Sequence, residues 1–424
     1  MSAFANADGR GVCMGDVDGN GDVDVFVAIK SGPNQLWMND GHGTFQDQAT
    51  AWGVAVTTTS VGCAFADVDA DGLLDIFVSC EGGDNNELYI QHGIFFEEEG
   101  ALFAVDDTAN SPSASWGDMD GNGHVDLFVV NKVERNRLYM NTGSGYFESV
   151  YVGDVNHDAR QSAMVDIDRD GDLDVFVANV GSGGVQLYVN DDGLGMLIEA
   201  GVSWGLPTDA SAYGLAVGDW SGDGIVDVFV STLGPSGLLF INNGVDQLQE
   251  VGNDAGIVEA ATRSRRGASM FDVEADGDLD ISVGTTGSDL TDTLWINHGD
   301  ATFRAGNAAL AWGSHLTTYG LAAGDFDGDG DVDVVMSSSG KVFVNHNARS
   351  GVARAVIVRP LSLFGAASVF GSFVQVECWH GCAFAWVSVF VADGGSGFRG
   401  QNGYDAVVGV PVPDATYNIS VRWP

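Results

Sequence analysis

Seven short stretches of this chain concentrate carboxylates at a spacing suited to a hard metal cation. Each follows D-x-D-x-D/N-G-x-x-D or a near variant, and they begin at Asp16, Asp67, Asp118, Asp166, Asp219, Asp272 and Asp325. In the last, Asp325, Asp327, Asp329 and Asp333 occupy positions 1, 3, 5 and 9. Gly330 at position 6 permits a sharp turn through left-handed backbone space. Asp331 at position 7 can add its main-chain carbonyl. Oxygen donors on a flexible loop suit Ca²⁺ better than Mg²⁺, which wants a stricter octahedron and keeps more water. The motif is not an EF-hand, because position 12 is Met336, inside an expected strand, where that motif needs Glu.

The candidate ligands in the other loops follow by the same count. They are Asp16, Asp18, Asn20, Asp22 and Asp24, then Asp67, Asp69, Asp71, Leu73 and Asp75, then Asp118, Asp120, Asn122, His124 and Asp126. Next come Asp166, Asp168, Asp170, Asp172 and Asp174, then Asp219, Ser221, Asp223, Ile225 and Asp227, then Asp272, Glu274, Asp276, Asp278 and Asp280. Position 7 in each set counts through its carbonyl. The bland alternative is that Asp, Asn and Gly merely make good turns. Four carboxylates form six like-charge pairs, each costing about 1 kcal/mol at ~4 Å even in water. Seven repetitions of that cost imply a cation, so up to seven Ca²⁺ sites are expected. Loops two, four and seven keep four Asp and should bind best. Loop five, with Ser221, should bind worst.

The loops recur every 48 to 53 residues, so they belong to a repeat. A small-residue strand enters each motif, as in Gly214-Leu215-Ala216-Val217, and an apolar strand leaves it, as in Val25-Phe26-Val27. A third strand follows, such as Leu36-Trp37-Met38-Asn39 or Val342-Phe343-Val344-Asn345. A weaker fourth follows a Gly turn, such as Gly43-Thr44-Phe45. The runs are short, β-branched and aromatic, without helical periodicity. Four antiparallel strands per ~50 residues make one propeller blade. The expected fold is therefore all-β: a seven-bladed β-propeller over residues 1–347, with a small β-rich domain at 348–424. The seventh repeat lacks a fourth strand, and Ser2-Ala3-Phe4-Ala5-Asn6-Ala7 resembles one. The N-terminal segment is thus expected to complete blade seven and remove an exposed edge.

The formal charge is −42, from 59 acids against 17 bases. Such a chain repels nucleic acid and anionic membranes. No apolar run is long enough to span a bilayer, and no secretory signal opens the sequence. The five cysteines, Cys13, Cys63, Cys80, Cys378 and Cys382, do not form a disulfide framework. Cys378–Cys382 and Cys63–Cys80 are the candidate bridges. No nucleophile elbow, phosphate loop or zinc signature appears, so catalysis is not expected.

The repeat resembles the FG-GAP/VCBS repeat of integrin α-subunit propellers, and its L-Y-x-N…G-x-F element is closer to the cartilage acidic protein type. In the tail, Val358-Arg359-Pro360-Leu361, Asp393-Gly394-Gly395-Ser396-Gly397-Phe398 and Val421-Arg422-Trp423-Pro424 resemble the ASPIC/UnbV domain that follows the propeller there. The usual H-F-G-L-G segment reads Asp405-Ala406-Val407-Val408-Gly409 here. The resemblance implies a secreted or cell-surface adhesion or interaction protein without known catalysis. A lectin-like carbohydrate-binding propeller is the alternative.

The remaining clusters have plainer readings. Trp52, Trp204 and Trp312, and Trp37, Tyr89, Tyr139, Tyr188 and Trp295, recur with the repeat and are expected between blades. His42, His92, His298 and His346 are expected as solvent-exposed turn residues on different blades. Arg263, Arg265 and Arg266 stand out in an acidic chain. They sit before the inner strand of blade six, on the face opposite the aspartate turns, as does the segment from Lys132 to Arg137. Solvated loops that balance local acid are the plainer reading, and the alternative is that this face docks a protein or glycan ligand. The tail is expected to pack on the propeller or to mediate homo-oligomers.

Overall fold

The computed structural model describes residues 2–5, 8–155, 157–234, 237–258, 264–286, 292–306, 317–338, 340–347, 355–358, 372–380, 387–392, 401, 406–410 and 416–422. It is a seven-bladed β-propeller, each blade a four-stranded antiparallel sheet. Blade one runs Gly9–Gly15, Asp24–Ile29, Gln35–Asn39 and Phe45–Asp47, from the inner strand outward. The following five repeat that order. Blade seven consists of Thr318–Gly324, Asp333–Ser338 and Lys341–Asn345, and its outer strand is Ser2–Ala5 from the other end of the chain. Ser2 faces Val344 in the register.

The inner two strands of each blade are almost wholly buried, which explains their near-continuous apolar runs. Phe26, Phe77, Phe128, Phe176 and Phe229 are each 0% exposed. Neighbouring blades meet through small residues on one side and large ones on the other. A Cβ on Gly218 would fall 2.5 Å from Met270 Sδ of the next blade, so any larger residue there would have to displace the Met270 side chain. Trp116 of blade three packs edge-on against Phe77 of blade two, and Trp295 packs on Phe229. The periodic aromatics are therefore packing residues. Tyr89, Tyr139, Tyr188, Trp52 and Trp204 are all buried as well, while Trp312 lies outside the described residues.

Cys63 does not pair with Cys80 across its own hairpin. It bonds to Cys13 on the inner strand of blade one, leaving Cys80 a buried thiol. Cys13 lies opposite Phe26 and Cys63 opposite Val78. The equivalent positions in blades three and four hold Ser115 and Ser162, whose hydroxyls hydrogen-bond at 2.6 Å. The disulfide thus takes the place that a hydroxyl–hydroxyl bond holds between blades three and four. Cys382 lies outside the described residues.

Beyond residue 347, Ala355–Val358 pairs with Ala406–Gly409, and Ser372–His380 lies between Val387–Ala392 and Thr416–Arg422. Among the described residues this region touches the ring at several places, with Ala355 packed against the core of blades six and seven. Val374 and Val376 join the core beside Trp220 and Met270. Gln401 enters between the inner strands of blades one and two. Its main chain bonds Val12 and Met14, and its side-chain amide both donates to and accepts from the main chain of Phe65.

Candidate metal centres

Each aspartate motif links the inner strand of a blade to the second strand, so all seven loops emerge at equivalent ends of the blades. Their geometry is built by the aspartates themselves. The position-1 carboxylate accepts the N–H of the position-6 glycine in six loops: Gly21, Gly72, Gly123, Gly224, Gly277 and Gly330. The position-5 side chain accepts the N–H of position 7 in all seven, from Asp22 to Asn20 through Asp331 to Asp329. The expected left-handed glycine is present, with φ from 83° to 105°. Position 4 is also left-handed, and there Ala70, Arg169 and Ala275 stand in place of glycine. The sequence reading missed that second turn, although four of the loops carry glycine there.

Position 9 does more than offer a ligand. Asp24, Asp75, Asp126, Asp174, Asp227, Asp280 and Asp333 are all essentially buried. One oxygen of each accepts the main-chain N–H of position 2, and the other accepts the N–H of a residue at or just beyond the end of the third strand. That residue is Asn39, Gln91, Asn141, Asn190, Asn242, Asn297 or Asn347. Its side-chain amide reaches back to the position-2 carbonyl of the preceding blade. Seven identical bonds therefore run round the ring. In blade seven the bonding residue is Asn347, two residues beyond the Asn345 that the sequence alignment placed there.

The loop carboxylates converge. Asp16, Asp18 and Asp24 offer oxygens within 4.8 Å of one another, as do Asp67, Asp69 and Asp71, and Asp118, Asp120 and Asp126. Burial, then neighbouring carboxylates, push the aspartates at positions 1 and 9 of several loops upward, against the backbone bonds that favour ionisation. Asp67 and Asp219 rise to about 6, Asp24 and Asp333 to about 7, and Asp126 and Asp174 to about 8. Close-set carboxylates that resist ionisation, all hard oxygen donors, fit a divalent cation that would neutralise them.

The loops are not equivalent. Ser221 donates to Asp219, so loop five spends a hydroxyl where other loops place a third carboxylate. Glu274 of loop six is held by Arg304 through both carboxylate oxygens, at 3.1 and 3.0 Å. His346 is not an exposed turn residue, unlike His42, His92 and His298. It is half-buried against the loop-seven carboxylates, 3.4 Å from Asp333 Oδ2.

The arginine cluster is not an open docking patch. Arg265 is buried, donates to the Gly234 carbonyl at 2.8 Å and lies over Trp295. Arg266 is half-buried over the ring of Tyr213, 4.1 Å from its centroid. Inner-strand residues at a β-bulge turn into the neighbouring blade, which is why these two arginines leave the surface. Arg263 lies outside the described residues. In the second charged segment Lys132 pairs with Glu81, and Arg137 with Asp107 at 2.9 Å.

The FG-GAP-like repeat family matches residues 16–78, 67–129, 118–177, 166–230 and 272–336, more than half of the chain. Cartilage acidic protein 1 of Xenopus tropicalis is 28% identical over 188 residues, and that of Homo sapiens 30% over 188 residues. The aligned part is 40% of this chain, and it spans only 29% and 28% of those relatives. Among solved structures, BBS1N in complex with ARL6DN superposes with a TM-score of 0.54 at 13% identity, covering 82% of this chain and 96% of that one. The BP39L lectin from Burkholderia pseudomallei gives 0.54 at 13% identity, over 80% and 96%. These likenesses are of fold alone.

Proposed function

Because this chain belongs to the FG-GAP-like repeat family, we propose that it is a calcium-binding, non-catalytic interaction scaffold that works outside the cell. The calcium is structural. The observation that carries this reading is that every loop gathers carboxylates while its position-9 aspartate is tied to the third strand and, through the Asn or Gln there, to the blade before. A cation at such a loop would stiffen the joint between blades, and no oxygen of the position-9 group is left pointing at a distant ligand. The Cys13–Cys63 bridge fits an oxidising compartment, and the cartilage acidic protein relatives share this repeat region. No helix among the described residues is long and apolar enough to cross a membrane.

The test is a pair of thermal melts, with saturating calcium and with chelator. The calcium form should melt many degrees higher, and light scattering on the same samples should show which assembly state that form has. Superimposable melts would overturn the structural role of calcium. A glycan array probed with and without calcium should show no binding that depends on the loops.

A further inference from the structure

The residue opposite the position-9 aspartate on the third strand is apolar in six blades: Met38, Ile90, Met140, Val189, Ile241 and Ile296. Each packs in or against the blade core. In blade seven, Val334 faces Asn345, so the equivalent residue is His346. A polar ring has replaced an aliphatic chain at one blade in seven, and it faces the metal loop.

The Nδ1 atom of His346 is 3.4 Å from Asp333 Oδ2 and 3.9 Å from Asp327 Oδ2. The three donor atoms lie within 4.8 Å of one another. Nδ1 is shielded from solvent and makes no hydrogen bond, and neither does Oδ1 of Asp327. An imidazolium paired with these carboxylates would donate a proton to one of them, and no such bond is present. Donors around a shared ion with bonds of ~2.0–2.2 Å stand roughly 3–3.5 Å apart without bonding to each other. The ring's seat is also prepared. A Cβ on Gly43 of blade one would fall 2.7 Å from His346 Cε1, so the turn that receives the ring has no side chain.

We propose that loop seven is a mixed nitrogen–oxygen site that takes a borderline first-row divalent ion of the zinc type, with His346, Asp327 and Asp333 as protein ligands. Imidazole nitrogen favours such ions over calcium, whereas an all-oxygen loop favours calcium. The ring therefore carries two metal specificities. This rests on the proposed function only in taking loop seven to be a cation site.

The full chain is titrated with Zn²⁺ by calorimetry in calcium-replete buffer, and with Co²⁺ while its visible spectrum is followed. Wild type should take up one tight equivalent of zinc, and cobalt should give the spectrum of a nitrogen-ligated ion. His346→Met restores the residue that blade one carries and should fold. It should weaken zinc binding tenfold or more and abolish the cobalt spectrum, while keeping the calcium-dependent melt. His92→Gln should leave zinc binding unchanged, since His92, Glu97 and Glu99 form a separate, mostly exposed group. Equal zinc affinity in wild type and His346→Met would overturn the proposal, as would loss of the site in His92→Gln. Zinc binding that depends on His346 in a protein whose melt ignores calcium would sink the calcium reading and leave this one standing.

Discussion

The side-chain amide of Asn39 donates to the main-chain carbonyl of Phe326, 2.8 Å away across 287 residues of chain. The same bond joins every other pair of adjacent blades, so this one closes the ring. Asn39→Ala leaves a buried carbonyl without its donor. The expected loss is about 1–3 kcal/mol of unfolding free energy, by denaturant titration. His42→Ala, three residues on and exposed, should stay within about 0.5 kcal/mol of wild type.

Acid should stabilise the metal-free protein. The position-9 aspartates are raised in the folded chain, Asp24 to about 7 and Asp126 and Asp174 to about 8, because burial disfavours their charge. Unfolded, they return to ordinary carboxylate values near 4. Between roughly pH 4 and 8 the native state therefore binds more protons, and stability falls as pH rises. In chelator the melting temperature should be higher at pH 5.5 than at pH 8. In calcium that slope should flatten or reverse, because the ion needs the ionised form. A chelated protein that melts higher at pH 8 would contradict the burial argument.

Breaking the inter-blade disulfide should be costly. Cys13 and Cys63 close a loop with a sequence separation of 50 residues, worth about 4 kcal/mol in chain-entropy terms. The double replacement Cys13→Ser and Cys63→Ser recreates the hydroxyl pair that blades three and four already use. It should fold, but with about 2–4 kcal/mol less stability. Single replacements should be worse, since each leaves a buried free thiol facing a lone hydroxyl. Urea denaturation with and without reductant checks both statements.

Left-handed residues at loop position 4 offer the opposite change. Ala70, Arg169 and Ala275 have φ of 61°, 68° and 51°, where Gly19 has 72° and Gly121 66°. Side chains there cost about 1–2 kcal/mol, partly offset by the greater freedom of glycine in the unfolded chain. Ala70→Gly should gain up to about 1 kcal/mol, and Gly19→Ala should lose a similar amount. Calcium-saturated melts of the two variants should move in opposite directions.

The repeat was legible because a carboxylate motif and a Phe-centred strand recur at nearly constant spacing, and each imposes a local geometry of its own. What the sequence hid was contact between repeats. Cys63 was set against Cys80 because the two share a hairpin, but it bonds to Cys13 in the blade before. Arg265 looked like surface charge, yet a bulge carries it into the core. Asn345 fitted the repeat by letter, whereas Asn347 fits it by register, because the second-to-third-strand connection of blade seven is short. His346 was read as a turn residue for the same reason. A shift of two letters preserves strand alternation, so composition gave no warning.

The way Ser2–Ala5 closes blade seven bears on how the molecule comes to be made. Emerging blades can settle one by one as their hairpins form, since most pairings are local. The strand at Ser2–Ala5 has no such option: its partner, Lys341–Asn345, leaves the ribosome after all the intervening blades. Until then one sheet edge at each end of the nascent arc stays open to other chains. Ring closure is a contact of very long range, so it should be the slow, late step of folding. The interval before it is when the protein is most exposed to aggregation.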